Sequence, residues 1–206
     1  LTFTMPTDEE FPFNFDCATS IVQNGKIEYY ERSGKPTPAG LVVTKDGDTM
    51  TDSGNILKEM RKGNCALLPI GGLGEETGGY KGYGFVTIVE ILSAALAGGP
   101  HTKALSGKTA DGKNDFYRLG HFFFVINPEF FGGVDTFKHT SGDILRALRN
   151  STKAPGAERI YTAGEKEHLA WLDRQDKGVP VGDAIQKEFI ALRDECGLDY
   201  KFPFEA

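Results

Sequence analysis

Residues 68–84 of the chain read LPIGGLGEETGGYKGYG, a glycine-rich stretch that contains one lysine, Lys81. Glycine lets a backbone turn sharply and come close to a ligand. The apolar residues that follow predict a helix from Gly84 to about Ala97, and the free amides at a helix start carry positive partial charge. Together with Lys81, this pattern is typical of an anion site. The alternative is a plain glycine-rich turn.

The helix predicted after this stretch carries apolar residues at helical spacing along one face. It is expected to stop at Gly98-Gly99-Pro100, because glycine followed by proline ends a helix. The apolar face comprises Phe85, Ile88, Val89, Leu92, Ala95 and Leu96.

Several other segments have the pattern of strands. Phenylalanines alternate with other residues between Phe11 and Thr19, and residues 1–6 begin in the same way. Residues 41–43 are a shorter candidate. His121–Asn127 is an apolar run bounded by a glycine and a proline, which predicts a buried strand.

Helical patterns dominate the second half of the chain. Asp135–Arg149 is amphipathic, and Glu165–Lys177 and Asp183–Cys196 predict two more helices, the last capped by the Asp183 side chain. Earlier in the chain, Ile56–Lys62 is a candidate helix. Residues 26–32 are either a short strand or a helical turn, after a turn signal at Asn24-Gly25.

Strands and helices are therefore mixed without regular βαβ alternation, which favours an α/β fold of the α+β kind over a doubly wound parallel sheet. We expect a mixed, largely antiparallel sheet flanked by helices. No G-x-G-x-x-G motif occurs, so a dinucleotide would not be bound through the usual Rossmann fingerprint.

Composition limits the classes of function. The chain has 206 residues and a net charge of -6, with no basic stripe, so neither nucleic acid nor a membrane is an expected partner. Cys17, Cys65 and Cys196 lack any zinc-ligand spacing, so we expect no metal site. Reduced thiols are typical of a cytoplasmic protein.

A series of short motifs occurs in one fixed order along nearly the whole chain. The series resembles the type-2 malate/L-lactate dehydrogenase family, which is unrelated to the Rossmann-type enzymes of similar name. In order, the motifs are FDCATS at 15–20, NGK at 24–26, DG at 46–47, TD at 51–52, LPIGG at 68–72, KGYG at 81–84, VEILS at 89–93, GHFF at 120–123 and GEKE at 164–167.

The resemblance implies an oxidoreductase that transfers a hydride between NAD or NADP and a 2-hydroxy acid or its 2-oxo partner, such as malate/oxaloacetate or lactate/pyruvate. It also implies a homodimer and a non-Rossmann cofactor domain, placed at residues 1–160, with a C-terminal helical segment at 161–206. Three segments are expected to line the cofactor. Their residues are Phe13, Asn14, Phe15, Asp16, Cys17, Ala18, Thr19 and Ser20; Tyr80, Lys81 and Gly82; and Gly164, Glu165 and Lys166.

In one respect the chain departs from the family. It resembles only the C-terminal part, somewhat more than half, of a member. The histidine proton donor and the arginine that binds the substrate carboxylate lie in the other part, so no catalytic residue is assigned here, and the fragment is expected to be inactive alone. Two alternatives stay open: a non-catalytic dinucleotide-binding subunit, and a cyclic imine (ketimine) reductase of the same family.

Each candidate side chain also has a purely structural interpretation. Lys81 either pairs with the cofactor or only solvates its loop. Asp16 either binds a ribose hydroxyl or main-chain N–H, or shapes the turn at Thr19 and Ser20, whose hydroxyls can meet phosphate or cap a turn. The Glu165 carboxylate either lies beside the cofactor or complements a helix dipole.

The four histidines are His101, His121, His139 and His168. Hydride transfer to a carbonyl needs a proton donor near neutral pH, a role that suits histidine. His121, at the start of an apolar run, is the one that invites a catalytic role, although the resemblance places the proton donor elsewhere. The other three are expected at the surface.

Overall fold

The computed structural model of the chain describes residues 1–109 and 111–205. The strands are β1 (Thr2–Met5), β2 (Phe13–Asp16), β3 (Val42–Thr44) and β4 (Cys65–Leu67). The α-helices are α1 (Asn24–Arg32), α2 (Ser53–Arg61), α3 (Gly79–Glu90), α4 (Val134–Arg149), α5 (Glu165–Arg174) and α6 (Asp183–Glu195). Shorter helical pieces are the π-helix Ile91–Ala95 and the 3₁₀ turns Thr102–Leu105, Pro128–Phe130 and Pro203–Glu205.

The chain is a mixture of helices and small antiparallel sheets. Strand β1 pairs with β2, and β3 pairs with β4, so the described residues form two separate two-stranded sheets. The predicted mixture and the antiparallel pairing are confirmed. The expected single sheet is wrong, because the two hairpins do not share an edge.

The β1–β2 hairpin has one polar and one apolar face. Thr2 lies opposite Asp16 and Phe3 opposite Phe15, so side chains of like character meet across the strands. Phe3 remains about half exposed. A lone two-stranded sheet is marginal in water, so this hairpin depends on what packs against it.

The buried core lies between α1, α2 and the β3–β4 hairpin. Ile27, Val42 and Ile56 are fully buried there. Asp52 caps α2 by accepting a hydrogen bond from the Asn55 amide at 2.8 Å. Residues 26–32 are therefore helical, and the predicted turn at Asn24-Gly25 is wrong, because these two residues form the first turn of α1.

Helix α3 begins five residues before the predicted start at Gly84. Gly78 precedes it with φ 80°, a left-handed conformation that glycine adopts without strain. Lys81 consequently lies inside the first turn rather than ahead of the helix. The apolar face predicted for this helix is formed, but Phe85, Ile88 and Leu96 are more than half exposed.

The predicted strand His121–Asn127 is wrong for this structure. These residues are assigned to no strand, and their side chains are exposed. A strand needs a neighbour to accept its backbone hydrogen bonds, and none of the described strands pairs with this segment.

The three predicted C-terminal helices are confirmed as α4, α5 and α6. The predicted cap of α6 is wrong: Gly182 occupies that position, and Asp183 is the first helical residue. Its carboxylate still complements the helix dipole there. Among the described residues, no helix combines the length and apolar character needed to cross a membrane.

Candidate functional site

Two of the predicted cofactor segments adjoin opposite ends of the third: residues 164–166 lie against the start of β2, and residues 80–82 reach the chain beyond its end through Ile70. At the start of β2, the Asn14 amide donates a hydrogen bond to the Ala163 carbonyl at 3.2 Å. The next residue, Gly164, has φ 94°, and a Cβ built on it would lie 2.8 Å from the Pro12 carbonyl oxygen. Only glycine fits this contact, so the Gly164 segment packs directly on the start of β2.

Beyond the end of β2, the chain is bound to the glycine-rich stretch. The Ile21 amide donates to the Leu68 carbonyl at 2.8 Å, and the Ile70 amide donates to the Thr19 carbonyl at 3.1 Å. Ser20 and Pro69 form an antiparallel bridge between these two bonds. The Thr19-Ser20 segment is thereby fixed against the loop that leads to Lys81.

A cleft of about 480 Å³ opens beside this junction. It is bounded on one side by the residues after β2 and on the other by α3. Its lining includes Ala18, Thr19, Ser20, Pro69, Tyr83 and Val86.

The Ser20 and Thr19 hydroxyls in this cleft have different surroundings. The Ser20 hydroxyl donates to the Val22 carbonyl at 2.8 Å, which is the turn-forming role that the sequence left open. Within the described chain, the Thr19 hydroxyl makes no hydrogen bond, and Thr19 is half-buried. Thr19 is therefore the better placed of the two to meet a ligand.

Glycines hold the loop and the start of α3 together. A Cβ on Gly82 would lie 1.9 Å from the Ile70 carbonyl oxygen, and one on Gly79 would lie 2.1 Å from the Gly72 carbonyl oxygen. Gly82 is buried, so its own contact is with the protein backbone. Gly82 was expected beside a cofactor, but its close contact with the Ile70 backbone is by itself a sufficient reason for a glycine at this position.

Lys81 is exposed, and its ammonium lies 5.7 Å from the centre of the Tyr80 ring. Among the described residues it forms no ion pair. The amides on either side of Tyr80 are already used, since Gly79 donates to the Gly74 carbonyl and Lys81 donates to the Gly78 carbonyl. These two amides at the helix start are therefore not free to bind an anion.

The polar side chains of β2 point across the hairpin. Asp16 accepts a hydrogen bond from the Thr2 hydroxyl at 2.6 Å, and Asn14 accepts one from the Thr4 hydroxyl at 2.8 Å. The predicted role of Asp16 in shaping the Thr19-Ser20 turn is wrong, because the carboxylate faces β1 instead.

The remaining β2 residues are backbone and packing groups. Phe13 and Phe15 lie on the apolar face of the hairpin. Cys17 continues the pairing, since its amide donates to the Leu1 carbonyl at 3.1 Å. Ala18 contributes a small side chain to the cleft wall.

Glu165 is almost fully buried, with 2% of its surface exposed. Its carboxylate accepts hydrogen bonds from the Thr162 amide at 3.1 Å and from the Arg159 guanidinium. Burial alone would raise the pKa of Glu165, but the Thr162 amide and the positive charges of Arg159 and Arg149 lower it below its usual value. The carboxylate therefore closes the turn before α5, a structural role that the dipole argument did not identify.

Two cations flank an aromatic ring next to this turn. The Lys166 ammonium lies 4.9 Å from the centre of the Tyr161 ring, and the Arg159 guanidinium lies 5.1 Å from it. A ring that carries two cations beside a helix start is a surface to which an anion is attracted.

An ion-pair network connects α4 to the β1–β2 loop, which the sequence analysis missed. Arg146 contacts Asp8 and Glu9, each at 2.9 Å, and Arg149 contacts Glu9 at 2.6 Å. Arg149 also donates to the Thr162 hydroxyl at 3.3 Å. The network thereby links α4, the β1–β2 loop and the Glu165 turn. No local motif marks it, because its contacts between α4 and the loop join residues more than 130 positions apart in sequence.

The histidines differ in their surroundings. His101 and His121 are exposed, and His139 is exposed while contacting Asp8 at 3.0 Å. The surface position expected for His168 is wrong: its ring stacks between Phe11 and Trp171 and is largely buried. No group of three or more potential metal ligands occurs within residues 1–109 and 111–205.

Comparisons with known proteins agree on one family. Residues 1–189 match the family model described as malate/L-lactate dehydrogenase. Malate dehydrogenase of Pyrococcus horikoshii is 35% identical over 199 residues, which cover 97% of this chain and 52% of that protein. L-sulfolactate dehydrogenase of Methanocaldococcus jannaschii is 32% identical over 190 residues, covering 92% of this chain and 50% of that protein.

The fold agrees as well. The crystal structure of malate dehydrogenase from Entamoeba histolytica superposes with a TM-score of 0.87 at 36% identity, and the match covers 98% of this chain and 55% of that one. The chain thus spans about half the length of the relatives it matches. From the family model and from this structural match, we conclude that the chain belongs to the malate/L-lactate dehydrogenase family.

Proposed function

We propose that the chain forms the cofactor-binding part of an NAD(P)-dependent dehydrogenase that interconverts a 2-hydroxy acid and a 2-oxo acid. The observation that carries this proposal is that two segments far apart in sequence adjoin the two ends of the segment formed by β2 and its continuation. Relatives named malate dehydrogenase, at 35% and 37% identity, make malate/oxaloacetate the first substrate pair to test, with lactate/pyruvate next.

The residues at this junction suit a dinucleotide. A dinucleotide is long and has an anionic centre, so it needs cations and hydroxyls spread along an extended site. Lys81 and Thr19 supply them beyond the end of β2, and Lys166 supplies a cation near its start, where Arg159 is already paired with Glu165.

In this proposal the cofactor, when bound, supplies the hydride, and the chain holds and orients it. Lys81 pairs with an anionic group, and Thr19 donates a hydrogen bond from the cleft. Glu165 keeps the Gly164 turn against β2. The proton donor and the group that binds the substrate carboxylate come from polypeptide outside this chain.

Several finer expectations belong to the same proposal. We propose a non-Rossmann cofactor domain at 1–160 with a helical segment at 161–206, a homodimeric enzyme, and a cytoplasmic location. The three free cysteines are consistent with a reducing compartment. The choice between NAD and NADP stays open.

Cofactor titration tests the proposal directly. Trp171 is the one tryptophan of the chain and lies in α5, two turns from Gly164, so binding of NADH or NADPH should quench its fluorescence. We expect Lys81→Ala to weaken binding by about 1–3 kcal/mol, the worth of one charge-assisted hydrogen bond. Lys58→Ala, in the distant helix α2, is the matched control and should leave the affinity unchanged.

Two results would contradict parts of the proposal. Equal affinity in Lys81→Ala and Lys58→Ala would remove Lys81 from the site. Absence of quenching by both nucleotides at millimolar concentration would overturn cofactor binding by this chain.

Turnover separates the remaining alternatives. A panel of oxaloacetate, pyruvate and a cyclic imine carboxylate, followed by NAD(P)H absorbance, is applied to the chain together with the complementary half of a family member. Reduction of a 2-oxo acid supports the dehydrogenase, and reduction of the imine alone supports a ketimine reductase. Binding without any turnover supports a non-catalytic subunit.

A further inference from the structure

Ten consecutive residues, 117–126, make no backbone hydrogen bond within the described part of the chain. We call residues 117–126 the unpaired segment; it ends before Asn127, whose carbonyl accepts a hydrogen bond from the Phe130 amide. Backbone N–H and C=O groups are almost always paired in a native protein, with other backbone, side chains or water. Arg118 has φ 48°, so an extended run can begin only after it; the eight residues 119–126 would then span about 26 Å, still the length of a long strand.

Side chains of the unpaired segment alternate between two faces, as in a strand. The rings of Phe122 and Phe124 stack 6.5 Å apart and 12° from parallel, and those of His121 and Phe123 stack 6.2 Å apart. Neighbours two residues apart come together only when the backbone is extended. Residues 121–124 therefore have the spacing of an extended strand, which can begin only after Arg118, where φ is 48°.

Both faces of the segment are apolar and exposed. Phe123 and Val125 are 86% and 89% exposed on one face, and Phe124 is 72% exposed on the other. Strands that are apolar on both faces occur inside sheets that are covered on both sides. An exposed strand of this kind would aggregate unless another polypeptide covered it.

The segment is fixed to the rest of the chain at both ends. A Cβ on Gly120 would lie 2.0 Å from the Ser93 carbonyl oxygen, so the backbone there packs directly on the π-helix after α3. Just past the other end, the Asn127 side chain accepts a hydrogen bond from the Glu129 amide at 3.0 Å and starts a 3₁₀ turn. Its two ends are thus fixed before any partner binds.

The exposed area of the whole chain indicates how large the covering partner must be. The accessible surface is 15238 Å². A compact monomer of the same mass has about 9,500 Å², so roughly 6,000 Å² more is exposed here. Permanent interfaces bury about 2,000–5,000 Å² or more, so the excess corresponds to a large and permanent partner.

We propose that the unpaired segment is an inner strand of a sheet whose neighbouring strands come from the half of the family's length that this chain does not span. The relatives are about twice as long as the matched region, so that half is large enough to supply the missing area. A second copy of the chain fits less well, because self-pairing covers one edge of the segment and leaves the other edge open. The inference rests on family membership and needs no assumption about catalysis.

Hydrogen exchange on the chain, alone and in complex, tests this proposal. The partner is the part of Pyrococcus horikoshii malate dehydrogenase outside the region of similarity, co-expressed with the chain as a separate polypeptide. We expect the two polypeptides to form a complex in equal numbers. In this complex, hydrogen exchange of amides 121–126 should be at least a hundredfold slower than in the chain alone. Native mass spectrometry gives the composition.

A pair of proline variants tests whether the unpaired segment itself binds the partner. Val125→Pro removes a strand donor at a position where the chain itself uses no hydrogen bond, and we expect it to weaken the complex at least tenfold. Val179→Pro is the matched control, because Val179 is also exposed and its amide likewise donates no hydrogen bond among the described residues. It should leave the complex intact.

Four outcomes would overturn the proposal: no complex, a complex in which these amides stay unprotected, equal effects of the two prolines, or full protection in a complex of identical chains. A protected complex that lacks turnover would leave this inference standing and contradict only the proposed dehydrogenase activity.

Discussion

Gly82 shows how one missing side chain fixes the geometry of the candidate site. Its Cα faces the Ile70 carbonyl oxygen so closely that a Cβ would lie 1.9 Å away. We expect Gly82→Ala to force the loop and α3 apart and to lower the free energy of unfolding by about 1–3 kcal/mol. Urea unfolding followed by circular dichroism measures this change.

Gly84→Ala is the control for Gly82→Ala, because Gly84 lies in the same helix with nothing within 4 Å of a built Cβ. There, alanine should raise stability by about 0.5–1 kcal/mol, since glycine is the poorer helix former. Equal effects at the two positions would show that the contact with Ile70 is not made in solution.

Asp8 makes the α4 network sensitive to acid. Hydrogen bonds from Arg146 and His139 lower the pKa of Asp8 from 3.8 to about 2. A carboxyl whose folded pKa is lowered stabilises the protein above its unfolded pKa, and this contribution is lost as the pH falls toward the folded value. We therefore expect Asp8→Asn to be less stable than the parent chain at pH 6, with the difference shrinking between about pH 4 and pH 2.

Thermal unfolding at a series of pH values measures the Asp8 effect. Asp48→Asn is the control, since Asp48 is exposed and forms no ion pair within residues 1–109 and 111–205. A constant difference between Asp8→Asn and the parent down to pH 2 would argue against the lowered pKa.

Individual residues also show which parts of the candidate site could be predicted from the sequence. The motifs that contain Thr19, Lys81 and Gly164 could be recognised because each is a short local pattern. The roles of Asp16 and Glu165 could not, because their partners are set by strand register and by a turn, neither of which a local pattern contains. A carboxylate can accept a hydrogen bond from any nearby donor, so its partner follows from the fold.

Helix α5 depends on a turn that one buried carboxylate closes. Removing it in Glu165→Ala leaves the Thr162 amide without its partner, which should cost about 1–3 kcal/mol. The turn holds Ala163 against β2, so NADH binding should weaken together with stability. Both are measured on the same protein, by urea unfolding and by Trp171 quenching.

Glu167→Ala is the comparison for Glu165→Ala within the first turn of α5. Glu167 is also acidic, but it is exposed, so only its favourable interaction with the helix dipole is lost. That loss should stay within about 0.5 kcal/mol, with unchanged NADH binding. If the two variants behaved alike, the structural role assigned to Glu165 would be wrong.

A helix that buries one face within the chain was predictable from periodicity, as α4 with its buried Leu145 shows. The prediction failed where an element needs a neighbour. His121–Asn127 has the composition of a buried strand, yet composition cannot say whether the pairing strand belongs to the same chain. The early start of α3 was missed for another reason: three glycines in its first six residues lower helix propensity, and contacts with the loop overcome that cost.

At the scale of the whole molecule, the chain should unfold with an unusually small dependence on urea. The slope of stability against urea, the m-value, scales with the surface exposed on unfolding. An unfolded chain of 22.5 kDa exposes about 33,000 Å², and the folded chain already exposes 15238 Å². The surface buried is then roughly three quarters of that in a compact protein of this size, and the m-value should be reduced in the same proportion.

Measuring the m-value at two protein concentrations distinguishes a half-covered monomer from a self-associated one. A monomer gives the reduced slope at both concentrations, whereas self-association gives a larger slope and a midpoint that rises with concentration. In complex with the complementary half of the family, unfolding should expose the newly covered surface as well, so the slope should rise. A slope typical of a compact 206-residue protein at the lowest concentration would show that the chain buries its apolar faces by itself, and the exposed surface of α3 and residues 117–126 would then need no partner.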